Sequence, residues 1–283
     1  MFESHFGLKG PPFQLSPDPG FYFASSGHGN ALAYMKFGAY QGEGFIVVTG
    51  EIGAGKTTLV RTLLEGLDPK QIVAAQIVST QLDAGDLLRA ICLAFGIPLK
   101  GESKAQWLAT LEAFLTALCV GGRRALLVVD EAQNLGQREV EELRMLSNFQ
   151  LGSHALLQSF LVGQPELRKM LQSKSLEQLR QRVIASCHLG PLAPGEVQPY
   201  IEHRLHHVGW DGRTIFDADA WAEIHKQTEG IPRRINLLCT RAMLATFLHS
   251  KNSIEARDIA QTAKDLGAEL GELPLRMANV SSL

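Results

Sequence analysis

A lysine and two threonines stand directly behind closely spaced glycines in Gly50-Glu51-Ile52-Gly53-Ala54-Gly55-Lys56-Thr57-Thr58. The glycines let the backbone curl with its N–H groups turned inward, where side chains would obstruct a polyphosphate. The Lys56 ammonium suits β- and γ-phosphate oxygens, and the Thr57 hydroxyl suits Mg2+. A pair of carboxylates follows at Asp130-Glu131. Asp130 suits water-mediated binding of the Mg2+ held by Thr57, and Glu131 suits polarising the water that attacks a γ-phosphate. Gln164 closes an apolar run; its amide can orient that water or satisfy backbone groups in a turn. Arg180 and Arg182 carry planar forks that either face solvent or reach a neighbouring subunit's triphosphate. Arg233, in Gly230-Ile231-Pro232-Arg233-Arg234, opens a helix from which a guanidinium can swing onto a nucleotide. These residues predict binding of a nucleoside triphosphate with Mg2+. The acidic pair predicts hydrolysis rather than binding alone.

Such a loop works only between a strand and a helix. Phe45-Ile46-Val47-Val48 is apolar throughout and Leu59-Val60-Arg61-Thr62-Leu63-Leu64 has helical character, so both flanks fit. The helix turns its positive dipole end towards the same anion. Ile72–Val78, Ala125–Val129 and Leu157–Val162 are further strand-like runs. Helices are predicted near Gly29–Gln41, Asp83–Phe95, Ser103–Leu118 and Gln137–Phe149, the second and third with apolar residues at helical spacing. Apolar strands alternating with helices indicate an α/β protein whose parallel sheet is covered on both faces. Asp130-Glu131 then falls at the carboxyl ends of the strands, where such sheets bind ligands.

The prolines between Phe6 and Phe23 exclude regular helix, and the aromatic residues among them predict an arm, residues 1–28, packed on the core. Near Pro191-Leu192-Ala193-Pro194-Gly195 the pattern changes. Beyond it only helices are expected, near Glu196–Val208, Ala218–Thr228, Arg233–His249 and Glu255–Leu266. A nucleotide-binding domain over residues 29–190, a helical domain over 191–270 and a frayed tail over 271–283 follow from this.

The formal net charge of −2 gives no global drive towards nucleic acid or anionic lipid. Cys92, Cys119, Cys187 and Cys239 are widely spaced among apolar residues, as expected of reduced, buried thiols in a cytosolic protein rather than of a zinc or redox motif. The N-terminus has no basic stretch followed by an apolar one, so no signal peptide is expected, and no apolar run is long enough for a membrane span. His203 and His207 are spaced i, i+4, but the glutamate of a zinc-protease helix is missing, which favours a solvated face.

Together these motifs resemble the AAA+ ATPases. Residues 50–58 look like Walker A and Leu126-Leu127-Val128-Val129-Asp130-Glu131 looks like Walker B. Gln164 falls at the sensor-1 position, Arg182 (or, second to it, Arg180) at the arginine-finger position, and Arg233 at sensor 2. The Pro12-Phe13 and Pro17-Asp18-Pro19 arm, Gly163-Gln164-Pro165-Glu166-Leu167, Leu179–Val183 and Gly230–Asn236 are most similar to the general secretion pathway protein A group. Within it, Gln41–Ile46 and Val73–Val78 look like the secretion ATPase of exosortase/PEP-CTERM loci, which also encode exopolysaccharide export. The resemblance implies a P-loop sheet of order 5-1-4-3-2 with a C-terminal α-helical lid. It implies ATP and Mg2+ as ligands, a homo-oligomer, and protein partners in an inner-membrane export machine. A cytoplasmic location follows, peripheral to the membrane through a partner. Little sequence follows Gly267, so no winged helix is expected and nucleic acid is not the expected partner. A DNA-associated regulator of the transposition type remains the alternative.

Overall fold

The computed structural model describes residues 2–78, 83–98 and 103–269. The tail expected over 271–283 lies outside the described residues. The described residues divide into two compact units, one of those within 28–52 and 59–189, the other of residues 2–27, 53–58 and 190–269.

The first unit is built on a parallel sheet of β1 (Phe45–Gly50), β2 (Ile72–Val78), β3 (Arg124–Asp130), β4 (Leu157–Gly163) and β5 (Val183–Leu189). The spatial order is β2-β3-β4-β1-β5, which is the order 5-1-4-3-2 read from the opposite edge. β1 and β4 bury every residue, and β3 exposes only Arg124, because these three strands have neighbours on both sides and helices over both faces. Around the sheet run α1 (Ser26–Gln41), α2 (Lys56–Glu65), α3 (Ala84–Ala94), α4 (Lys104–Val120), α5 (Gln137–Leu146) and α6 (Pro165–Leu171).

Local chemistry sets several boundaries. Asp83 starts α3 by accepting from the amides of Gly85 and Asp86, and Ser103 starts α4 through a reciprocal capping box with Gln106. α5 ends at Leu146, short of the expected Phe149, and the chain turns into a small hairpin pairing Gln150–Leu151 with His154–Ala155. No continuous apolar run marks a strand over Val183–Leu189. β5 is an edge strand whose Ile184, Ser186 and His188 face solvent, so it shows alternation rather than an apolar run. Gly44 makes its pairing possible: at φ +67° it passes so close to the Arg182 carbonyl that a Cβ would meet that oxygen at 2.6 Å.

The second unit is helical, with α7 (Pro194–His207), α8 (Ala220–Thr228), α9 (Pro232–Leu248) and α10 (Ala256–Glu269) around Val197, Ile201, Ile224, Ile235, Leu238 and Ile259. The opening arm does not join the sheet's core. Phe6, Leu8, Phe13 and Phe21 bury themselves in the helical unit's cluster instead. The reason is Arg204 on α7, which is 6% exposed. Its guanidinium donates to the carbonyls of Pro12 (2.7 Å) and Gln14 (3.1 Å) and to the Tyr200 hydroxyl, while lying 4.5 Å above the Phe21 ring. A buried cation needs such partners, and the proline-rich arm supplies carbonyls not committed to helix. His203 and His207 also meet the arm, packing their rings on Phe23 and Phe21. Of the cysteines, Cys92 and Cys239 are buried as expected, whereas Cys119 and Cys187 are half-buried. Among the described residues no helix is long and apolar enough to cross a membrane.

Candidate functional site

The parallel register brings three strand ends to one edge of the sheet. Thr49 of β1 lies beside Gly163 of β4, and Val129 of β3 lies beside Leu161 of β4. Gly50, Gly163 and Asp130 therefore terminate their strands side by side, at the carboxyl edge where an α/β sheet receives ligands. The glycine loop leaves this edge from β1 and closes on α2, whose first residue is Lys56.

Within the loop, Gly53 and Gly55 take φ of +83° and +95°, left-handed values that residues with a Cβ rarely adopt. Gly50, Glu51, Ala54, Lys56, Thr57 and Thr58 all make interactions within the protein. Ile52 is an exposed apolar side chain and Ala54 is buried. Lys56 is 7% exposed at the start of α2, with Thr57 and Thr58 following in the first turn. A loop of left-handed glycines running into a helix N-terminus, with a buried lysine and a hydroxyl in the first turn, fits a polyphosphate with its magnesium ion.

Arg233 is tied to this loop by its backbone. Its amide donates to the Gly53 carbonyl at 3.1 Å, and a Cβ on Gly53 would lie 2.5 Å from the Arg233 Cβ. Pro232 begins α9, where its missing N–H costs no hydrogen bond. The Arg233 side chain is exposed, and its guanidinium makes no hydrogen bond or ion pair among the described residues. Its neighbour Arg234 is paired with Glu229 at 2.7 Å.

At the end of β3, Asp130 is 4% exposed and accepts the Glu131 amide at 2.9 Å. Glu131 takes φ +52° and ψ +37°, a left-handed conformation unusual for a residue with a side chain. Its Oε2 accepts from Gln133 Nε2 at 2.6 Å and from Gln164 Nε2 at 3.3 Å. Gln133 Oε1 in turn accepts the Gln164 amide at 2.9 Å. Gln164 precedes Pro165 at the start of α6 and makes no side-chain cap, so its amide serves the carboxylate rather than a turn.

Gln133 was not among the residues the sequence singled out. The signal was present as a polar amide two positions beyond the acidic pair, in Asp130-Glu131-Ala132-Gln133. It is legible only once the short turn Ala132–Asn134 folds it back onto Gly163.

The two arginines after β4 differ. Arg182, the first choice for a contact in trans, is engaged within its own chain. It donates to the Ser147 carbonyl at 3.1 Å, to Ser147 Oγ at 3.0 Å and to Asn148 Oδ1, fastening the carbonyl end of α5. Arg180 is exposed and holds one long contact, 3.4 Å to the Gln172 carbonyl. The geometry thus reverses their order as candidates.

A parallel sheet of order β2-β3-β4-β1-β5, a glycine loop from the interior strand β1 and an acidic pair at the end of the strand one removed define the P-loop fold of the AAA+ proteins. The AAA domain family matches residues 39–171. Over 267 residues, 94% of its length, the chain is 40% identical to the general secretion pathway protein A of Aeromonas hydrophila. It spans about half of that relative, 48% of its length. Among solved structures it is similar to Cdc6p from Pyrobaculum aerophilum, with a TM-score of 0.71 at 17% identity over 90% of this chain and 70% of that one. It is likewise similar to the ORC2 protein of Aeropyrum pernix, with a TM-score of 0.68 at 18% identity over 92% of this chain and 73% of that one. At such identities these two likenesses speak to the fold alone.

Proposed function

We propose that the chain is a Mg2+-dependent ATPase whose cycle drives or regulates an envelope secretion machine. The observation that carries the hydrolytic part is the Glu131 carboxylate, held by two amide donors at the ligand-binding edge of the sheet. The inward amides of residues 50–58 and the Lys56 ammonium bind the phosphates; Thr57 and Asp130 hold the metal. A bound Mg2+ neutralises charge on the phosphoryl oxygens. Glu131 accepts the proton of the attacking water and Gln164 orients that water. Arg233 senses the γ-phosphate from the N-terminus of α9, and Arg180 reaches a neighbouring subunit's nucleotide in a homo-oligomer.

The secretory part rests on the similarity to general secretion pathway protein A over nearly the whole chain. Export of exopolysaccharide is the finer form of this reading, and a cytoplasmic position, peripheral to the inner membrane through a protein partner, goes with it. The test separates holding from hydrolysing. Lys56→Ala should abolish tight ATP binding, whereas Glu131→Gln should bind ATP normally and lose most turnover. Equal loss of affinity in both folded variants refutes the assignment. The ATP-locked Glu131→Gln protein should then capture envelope components; salt-sensitive stimulation of turnover by DNA would instead favour a DNA-associated regulator.

A further inference from the structure

We propose that Gln133 is a positioning residue for the hydrolytic reaction, holding the Glu131 carboxylate through its side-chain amide and tying it to the end of β4. The proposal rests on the ATPase reading above. Its amide orientation is dictated by chemistry rather than by assignment. The Gln164 backbone N–H can only donate, so the Gln133 atom 2.9 Å from it is the oxygen, and the nitrogen is the atom facing Glu131. Nε2 then donates to Glu131 Oε2 at 2.6 Å, a charge-assisted bond shorter than the 3.3 Å contact from Gln164. Both donors fall on Oε2. Oε1 accepts no hydrogen bond among the described residues, which makes it the oxygen available to take a proton.

Two further features belong to the same arrangement. Glu131 sits in a left-handed backbone conformation, so its side chain leaves the main chain in a direction that ordinary strand geometry would not give. Gly163 makes room for the amide: a Cβ there would meet Gln133 Oε1 at 2.6 Å and the Gln133 backbone nitrogen at 3.2 Å. Gln133 therefore links the carboxylate just beyond β3 to the strand end that also presents Gln164. A shift of Gln164 moves the Gln133 amide, and with it the carboxylate.

The experiment compares steady-state turnover, ATP affinity and the pH profile of kcat in wild type, Glu131→Gln, Gln133→Ala, Gln133→Glu and Gly163→Ala. Gln133→Ala should lower kcat by about 10- to 100-fold, the worth of a hydrogen bond to a charged group, with ATP affinity within about twofold of wild type. Gln133→Glu keeps the shape but sets a second carboxylate against the first. Once one of the pair is protonated, its O–H can replace the amide donor, so activity relative to wild type should rise as pH falls. A merely structural role for Gln133 would not produce that acid-side recovery. Gly163→Ala displaces the amide without altering Gln133 and should reproduce the selective loss in kcat.

Should Gln133→Ala fail to fold, the isosteric Gln133→Glu and the Gly163→Ala protein carry the same test. Wild-type kcat in the Gln133 variants, beside an inactive Glu131→Gln protein, overturns this proposal and leaves the ATPase reading standing. A parallel fall in ATP affinity, or a relative pH profile that stays flat in Gln133→Glu, also overturns it. A wild type without Lys56-dependent turnover overturns both.

Discussion

Replacing Gly53 by alanine puts a methyl group where two segments of backbone nearly touch. Gly53 lies at φ +83°, and the new Cβ would sit 2.5 Å from the Cβ of Arg233. Neither partner is the loose end of a flexible side chain, so the backbone must move. An alanine held in the left-handed region costs roughly 1–2 kcal/mol. If the loop and α9 part to relieve the clash, the 3.1 Å hydrogen bond from the Arg233 amide to the Gly53 carbonyl is lost, at about 1 kcal/mol. The total is about 2–3 kcal/mol, and it divides between two observables. Strain retained in the free protein lowers stability. Strain relieved by rearranging the loop must be restored when a triphosphate binds, and so weakens affinity. Urea denaturation of the free protein and calorimetric titration with a non-hydrolysable ATP analogue should therefore give losses that sum to about 2–3 kcal/mol, or about 30- to 150-fold if all of it falls on binding. Arg233→Gly removes the opposing Cβ, so in a double-mutant cycle the combined variant should cost less than the sum of the single ones. Losses totalling under about 1 kcal/mol, or strictly additive substitutions, would refute this account of the loop.

Other expectations follow from the arginines and the arm. Arg180→Ala should reduce turnover while leaving stability near wild type, and mixing it with Glu131→Gln protein should restore activity; Arg182→Ala should instead destabilise the fold by about 1–3 kcal/mol through its lost bonds to Ser147 and Asn148. Complementation by Arg182→Ala with unchanged stability would reverse that ordering. Arg204→Met should keep the packing over Phe21 but leave the Pro12 and Gln14 carbonyls without their donor, so amides of residues 12–23 should exchange hydrogen faster; unchanged protection would show that the aromatic rings alone hold the arm. Burial depresses the His203 pKa, and His207, Arg204 and His206 push it the same way. A depressed histidine contributes stability that is present above its unfolded value, near 6.5, and is lost as pH falls through the lower folded value. Protection of the arm should accordingly decline below about pH 6.5, and His203→Phe should flatten that dependence.

The sheet was legible because β1, β3 and β4 carry apolar runs, Phe45–Val48, Ala125–Val129 and Phe160–Val162, in which consecutive residues on both faces are buried. β5 was not, since an edge strand with Ser186 and His188 facing water carries no such run. The glycine loop was legible for a related reason: Gly53 and Gly55 mark a backbone geometry that other residues cannot take, so composition encodes conformation there. The partners of Arg182 were not legible, because sequence position says where a guanidinium starts, not which carbonyl it finds; Ser147 lies 35 residues away along the chain. Gln133 was missed for the same reason: Glu131 is two residues away, but the Gln164 N–H that fixes its orientation is 31 residues distant and near only after the sheet forms. The arm's aromatic content foretold burial, but Arg204, a charged residue on α7, decided where.

The backbone at Glu131 sets two measures of quality against each other. A glycine would occupy φ +52° without the cost of about 1 kcal/mol that a glutamate bears there. Glu131→Gly would relieve that cost but leave the Gln133 and Gln164 amides without their acceptor, so a melting temperature changed by little would conceal a chain with no carboxylate at the end of β3. Any effort to harden this protein against heat has to score turnover beside stability at that one position, because the residue that makes the fold less comfortable is the one assigned to the chemistry.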